Sequence, residues 1–582
     1  MTGRLKPQFL IALAILAGLY SFSLLARVDQ FTLTPFREGQ TAITSFYMAK
    51  GESPFLAYHV PVFGQPWALP MEFPLFQWLA AKLGGADVAR LRWAGKLLSL
   101  ASWAGCLGFA YLISQRAPIA KPDRRWFILL LAAAPIFVGY SPAFLMETFT
   151  LFFALGYLWA YLALTRPPTP LGLTMGMAFG TLTALSKPTT WVPFAGVIGL
   201  AMLLELIGLF RAKASFRSLG LLIFKGLIML AIPLVVALAW VKFGDAIKLE
   251  NPLASGLTSA SLSRWNYGSL AQKLSPTVWG VTLVKQSLLS LGLIGLVTPL
   301  VLMVGGHAAL NDPYRSKRLT WLLLALTGYL MPLLIFTNLH YRHDYYLVAN
   351  GFFLVAAVAL AISYLRDRWP HWWVESLYIT AFLSAVLVSL GYLGLKKSFA
   401  EPAQDALVKE LKAIKAPGNV IYYGFDYSAK MPYEVGRRAL MMGQTKPNPT
   451  YDAAIAANKE LDWVAIALAS PDYEAIAAET IRRLEVSYPY RKEVWPGTTL
   501  ISQVPLSSDR ANASKPDLLR RVAVRLETAQ VPDGGVVYWH SWFTPTPQGE
   551  GFFELMLRRG NDLFFIDGKT LKFYRLRHYF KS

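Results

Sequence analysis

Residues 9–26 read FLIALAILAGLYSFSLLA, an apolar run without a charge, behind Arg4 and Lys6. A helix of roughly 20 such residues crosses the hydrocarbon core of a bilayer. The run is long enough to span and no A-x-A-like cleavage site follows it, so it reads as an uncleaved first transmembrane helix rather than a signal peptide. The same ruler, moved along the chain, gives further candidates near 90–113, 126–141, 143–165, 170–186, 189–210, 218–241, 280–304, 319–337, 346–364 and 371–394. That makes about eleven helices. Pro135, Pro142, Pro188 and Pro193 mark breaks within this apolar sequence.

The composition agrees: of 582 residues, 54% are hydrophobic and only 16% charged, outside the range of soluble domains. A formal net charge of +21 raises nucleic acid as a partner. The basic residues, however, sit in short clusters between apolar runs and not on one folded face, so a topology signal explains them and nucleic acid is excluded. Arg116, Lys121, Arg124 and Arg125; Arg166; Arg211, Lys213 and Arg217; Arg315, Lys317 and Arg318; and Arg366 with Arg368 all fall on the side of Arg4 and Lys6, which is cytoplasmic by the positive-inside rule. The other side receives the long connections 27–89 and 242–279 and everything after about 395. The lone Cys106 lies in an apolar run, so neither a disulfide framework nor a thiolate metal site is available.

After residue 395 the chain turns soluble in character. β-rich runs (Asn419 to Gly424, Trp463 to Leu468, Thr498 to Val504) alternate with helix-like ones (Ala403 to Ile414, Tyr473 to Leu484), which predicts a small α/β domain. A β-leaning patch, Gly534 to Trp542 and Phe552 to Tyr574, ends the chain, with Gly534-Gly535 and Asp567-Gly568 as turns. The expected architecture is an α-helical polytopic membrane domain over 1–395, with amphipathic helices in a first periplasmic loop at 27–89, and a periplasmic α/β domain over 396–582.

The outer face gathers the reactive side chains. The first loop carries Phe36-Arg37-Glu38-Gly39-Gln40-Thr41-Ala42 and then Pro70-Met71-Glu72-Phe73-Pro74-Leu75-Phe76-Gln77-Trp78-Leu79. Glu147 opens the fourth helix, Lys187 closes the fifth, and Asn338-Leu339-His340-Tyr341-Arg342-His343-Asp344-Tyr345-Tyr346 joins the ninth to the tenth. Ionisable groups beside apolar runs are costly unless paired, which makes them functional candidates. A lipid-phosphate sugar donor loses its phosphate as an anion, so Lys187, Arg342 and Arg37 are candidates to hold it. The acceptor hydroxyl needs a carboxylate to take its proton, a role open to Glu38 and Glu72. Glu147, Gln40, His343, Asp344, Tyr345 and Tyr346 are candidate substrate contacts, with Glu147 alternatively the partner of a lysine and the tyrosines an interfacial belt. His59, His343 and Asp344 are candidate ligands for a divalent metal, magnesium, manganese or zinc.

This ordered set resembles the C-type membrane glycosyltransferases (GT-C), in particular the protein mannosyltransferase and lipid A aminoarabinose transferase group, over roughly residues 1–395. The resemblance implies a catalytic base at Glu38, matches the family's Pro-Leu segment to Pro74-Leu75, and likens the C-terminal domain to a periplasmic module of variable sequence. The family's Asp-Glu pair is Arg37-Glu38 here, and Glu72-Phe73 stands where many relatives have Lys-Pro, so the base stays open between Glu38 and Glu72. The implied activity is sugar transfer from a polyprenyl-phosphate donor to an envelope acceptor, a lipid, glycan or protein, with inversion, at the periplasmic face of a bacterial inner membrane. The competing expectation is a transporter or flippase of a lipid-linked saccharide, which would put polar residues at the bilayer midplane.

Overall fold

A computed structural model describes residues 7–25, 31, 34–164, 168–310, 312, 314–397, 402–425, 427–443 and 448–506, and strands between 522 and 580. Arg4, Lys6, Arg166, Gly534, Gly535 and Gly568 lie outside the described residues. The chain divides into two units. The first comprises Met1–Phe399 with Asp426–Met441 and Pro447–Glu460; the second comprises Ala400–Phe425, Met442–Lys446 and Leu461–Ser582.

Among the described residues of the first unit, nine helices are long and apolar enough to cross a membrane: Pro7–Leu25, Val88–Arg116, Glu147–Leu164, Pro188–Arg211, Phe216–Lys248, Pro276–Leu310, Arg315–Ile335, Asp344–Leu365 and His371–Gly394. The other two apolar stretches are also helical. One is Lys121–Ala133 followed by Pro135–Tyr140, broken where Pro135 cannot donate to the helix ladder. The other is Pro170–Ser186. The chain is therefore a multi-pass membrane protein whose helices fall on the eleven apolar runs of the sequence.

Two long helices are kinked for identifiable reasons. Phe216–Lys248 carries a π turn at Leu227–Ala231 just before Pro233. Pro276–Leu310 bends at Gly292, whose φ of +66° suits glycine and whose Cβ, if present, would lie 2.4 Å from the Ser384 carbonyl carbon. Leu347–Leu365 is buried nearly all round, as a helix apolar on every face must be, and its Asn350 spends its amide on the Tyr329 carbonyl at 2.9 Å. At one end of the bundle Asp123 pairs with Arg366, while Arg318 meets Asp312 at 3.1 Å and Asp367 at 2.5 Å. The candidate site lies at the other end of these helices.

The first loop folds into two short helices, Pro35–Ala49 and Leu75–Gly84, joined by an irregular hairpin in which Val60 donates to Trp67 and Leu69 to Tyr58. Chain from much later completes it. Ala439 and Met441 donate to Pro61 and Val62, Gly64 donates to Ala439, and the Asn458 side chain accepts from the Gln65 amide at 2.7 Å. Helix Lys430–Val435 packs so closely on Pro35–Ala49 that a Cβ at Gly39 would stand 2.5 Å from the Lys430 nitrogen.

The second unit contains a mixed sheet in which Asn419–Tyr423 pairs parallel with Trp463–Leu468, and Trp463–Leu468, Thr498–Ser502 and Tyr490–Trp495 pair antiparallel. Helices Pro402–Ala413 and Glu474–Leu484 accompany it, at the positions the sequence predicts. The strands after residue 521 form a separate antiparallel sheet in the order Val522–Thr528, Phe573–Phe580, Asp562–Asp567, Gly549–Arg559, Val536–Thr546.

Candidate active site

Arg37 lies in the first turns of helix Pro35–Ala49, one residue before Glu38, so the two side chains leave the helix in different directions. Arg37 forms an ion pair with Glu72 and donates to Gln40 Oε1 at 2.8 Å. Glu72 sits on a stretch fixed at three successive residues. The Tyr58 hydroxyl takes the Met71 amide at 2.7 Å and donates to the Glu72 carbonyl at 2.9 Å, Trp240 Nε1 donates to the Met71 carbonyl at 3.0 Å, and the Phe73 amide donates to Leu185 at 3.2 Å. Arg37, Gln40, Thr41, Thr44, Tyr58, Met71, Glu72 and Gln77 line a small polar cavity.

A second ion pair adjoins the first. Lys187 stands at the joint between helices Pro170–Ser186 and Pro188–Arg211, and its ammonium meets both carboxylate oxygens of Glu147, the first residue of its helix. The same nitrogen lies 4.9 Å from the ring centre of Tyr345 and 4.5 Å from that of Tyr346. Burial would lower the basicity of Arg37, but the carboxylate of Glu72, and more weakly that of Glu147, stabilise its charge against that cost. Burial alone would lift the Glu72 carboxyl, but Arg37 and then Lys187 outweigh it and hold it below the usual carboxylate range. Four separate segments thus bring Arg37, Glu72, Glu147, Lys187, Tyr345 and Tyr346 together.

Glu38 faces elsewhere. It is buried, and its carboxylate accepts from the Phe144 amide at 3.1 Å and from the Thr34 amide at 3.4 Å, which ties helix Pro35–Ala49 to the connection leading into Glu147. Arg342 lies with its guanidinium 4.9 Å from the ring centre of its neighbour Tyr341, at the end of helix Thr337–Arg342. Asp344 pairs with Lys285 at 3.4 Å and accepts from the Tyr392 hydroxyl at 3.4 Å. His343 stacks on Tyr345 at 5.2 Å and meets Trp265 at 5.8 Å, so Trp265 of the second long loop packs on this connection. Burial and then Lys285 push the His343 imidazole down to about 4, and the same two causes bring His340 to about 3, so both rings are neutral at pH 7.

His59 lies apart in the hairpin, its basicity lowered by burial and then by Arg438. No group of three His, Cys, Asp or Glu able to hold a metal ion occurs among the described residues, so His59, His343 and Asp344 do not form one ligand set.

The sequence reading missed Tyr58 and Lys285. Lys285 Nζ donates to the Tyr341 carbonyl at 2.8 Å as well as pairing with Asp344, and its neighbour Gln286 lies 3.1 Å from His340 Nδ1. A lysine followed by a glutamine inside the apolar run 280–304 was the available signal.

No family model and no curated protein matches the chain. Solved structures do. ArnT from Cupriavidus metallidurans bound to undecaprenyl phosphate aligns with a TM-score of 0.55 and 14% identity over 85% of this chain and 98% of that one, and its apo state with a TM-score of 0.54 and 13% identity over 85% and 97%. The Archaeoglobus fulgidus oligosaccharyltransferase in the apo form aligns with a TM-score of 0.51 and 12% identity over 82% of this chain and 72% of that one. The chain has the fold of the C-type membrane glycosyltransferases.

Proposed function

We propose that the protein is a glycosyltransferase that moves a sugar from a polyprenyl-phosphate donor to an envelope acceptor at the periplasmic face of a bacterial inner membrane. The observation that carries this reading is the meeting of Arg37–Glu72 with Lys187–Glu147 beside Tyr345 and Tyr346, at the ends of apolar helices where a lipid phosphate would lie. The undecaprenyl phosphate bound to ArnT of the same fold supports a donor of that class.

In the proposed reaction an acceptor hydroxyl oxygen attacks the anomeric carbon as the bond from that carbon to the phosphate oxygen breaks. Polyprenyl phosphate leaves as an anion, the hydroxyl proton passes to a carboxylate, and the anomeric centre inverts. Arg37 and Lys187 would take up the charge that grows on the phosphate. Both cations are engaged by carboxylates, so a phosphate competing for Arg37 would release Glu72 and raise its proton affinity as the base is needed. Glu72 is favoured over Glu38 because it lines the polar cavity, whereas Glu38 directs its oxygens to backbone amides. The loop at 337–346 would hold the two tyrosines in place, and Arg342 would serve phosphate binding at its edge.

The test is single-turnover transfer by the purified protein from radiolabelled polyprenyl-phosphate sugars, with an extract of envelope lipids and glycans as acceptor. Labelled acceptor should form together with polyprenyl phosphate. If donor crosses a proteoliposome bilayer intact and no sugar changes carrier, the protein is a flippase and this reading fails.

A further inference from the structure

The end of the bundle remote from Arg37 and Lys187 carries a second feature. There Tyr314, Lys317, Arg318, Ser363 and Asp367, together with Pro118, Ile119 and Ala120, line an open pocket of mixed polar and apolar character, and Ile119 also belongs to an apolar crevice that runs inward between the helices. The two features share their helix faces. On Arg315–Ile335 the mouth residues Lys317 and Arg318 are followed at helical spacing by Trp321 and then Leu324 and Ala325; on Leu347–Leu365 the stripe Phe353, Ala356 and Leu360 leads to Ser363. From Phe353 to Ser363 the path is about 15 Å at a helical rise of ~1.5 Å per residue. Alanines in this stripe leave the crevice open where larger side chains would close it.

The charge at the mouth is net positive. Arg318 is neutralised by Asp312 and Asp367 and lies on the Tyr364 ring, so it holds helices together. Lys317, which lines the mouth, and Arg315, two residues before it on the same helix and outside the lining, are exposed and make no ion pair among the described residues.

We propose that this is a binding site for an anionic phospholipid of the leaflet on that side, with its phosphate at Lys317 and Arg315 and one acyl chain in the crevice. A soluble phosphate would gain the cations but nothing from the crevice, and a neutral lipid would gain the crevice but not the cations. Only a chain-bearing anion uses both, and basic pockets between transmembrane helices on the cytoplasmic side are suited to such headgroups. The site is separate from the reaction centre and does not depend on the proposed activity.

Native mass spectrometry of the full chain, equilibrated in detergent with equal phosphatidylglycerol and phosphatidylcholine of identical acyl chains, tests it. The unaltered protein should retain the anionic lipid preferentially. Lys317→Gln and Arg315→Gln should each reduce the ratio about fivefold, the worth of one interfacial cation. Ala356→Trp, which fills the crevice, should remove retention of both lipids; if that variant does not fold, the ratio in the two charge variants decides. Equal retention of the two lipids by the unaltered protein, an unchanged ratio in both charge variants, or displacement by millimolar inorganic phosphate would each overturn the proposal.

Discussion

Lys187 sets its ammonium against both oxygens of Glu147 and 4.5 Å from the ring centre of Tyr346, with both charged groups buried. Removing one partner leaves an uncompensated charge in a low-dielectric site, at a cost of about 3–5 kcal/mol. Glu147→Leu and Lys187→Met should therefore each lower the melting temperature in detergent steeply. The double variant Glu147→Leu/Lys187→Met should recover most of that loss, because a well-packed apolar pair replaces a buried ion pair at little net cost. It should remain inactive in sugar transfer. Recovered transfer in the double variant would reduce the pair to a folding device.

Glu72 and Glu38 are separable by kinetics. Glu72→Gln should lower kcat by about 10²–10⁴, the usual worth of a general base, while Arg37→Ala should raise the apparent donor KM. Glu38→Gln keeps an oxygen for the Phe144 amide and should cost about 1 kcal/mol of stability with transfer within a few-fold of normal. The opposite pattern, with Glu38→Gln inactive and Glu72→Gln active, would move the base to Glu38.

His343 and His340 give a pH dependence with a definite sign. An unfolded histidine takes its proton near pH 6.5, whereas the folded rings do so only near about 4 and about 3. Stability from this source is complete above the unfolded value and is lost as pH falls from about 6.5 toward about 4, because the unfolded chain binds protons that the folded one refuses. The melting temperature should drop between pH 7.5 and pH 5, and His340→Gln/His343→Gln should flatten the drop. Parallel declines in the two proteins would contradict the assignment.

Gly39 tests the packing of Lys430–Val435 on the first loop. With a Cβ only 2.5 Å from the Lys430 nitrogen, Gly39→Ala must push two backbones apart and should cost about 1–3 kcal/mol. Gly18→Ala, where nothing lies within 4 Å, is the control and should leave the melting temperature unchanged. Equal behaviour of the two variants would show that the contact is not tight in solution.

The membrane helices were legible because a bilayer forces every backbone group into internal hydrogen bonds, which writes length and hydropathy into the sequence. The break at Pro135 was readable because proline has no N–H to give to the helix ladder. Partner choice was not. Nothing local to Lys187 says that it meets Glu147, or that Arg37 takes Glu72 while Glu38 turns to the Phe144 amide. Such pairings depend on how helices distant in sequence lie against each other. Lys285 shows the middle case: a charge within an apolar run signals a partner, but only the fold reveals Asp344 and the Tyr341 carbonyl. Likewise residues 430–441 and 448–458 carry no apolar run that would assign them to the first unit, and only their hydrogen bonds to the first loop reveal the connection.

That pairing has a consequence for how the protein is made. The Gln65 amide finds its acceptor on Asn458, 393 positions further along the chain. A ribosome must therefore deliver all the transmembrane segments before the hairpin around residue 65 acquires its last partners. Until then the loop bearing Glu72 waits half-built. A chain halted after its last hydrophobic segment would be inserted but unfinished, and quality-control proteases would meet it with that loop open.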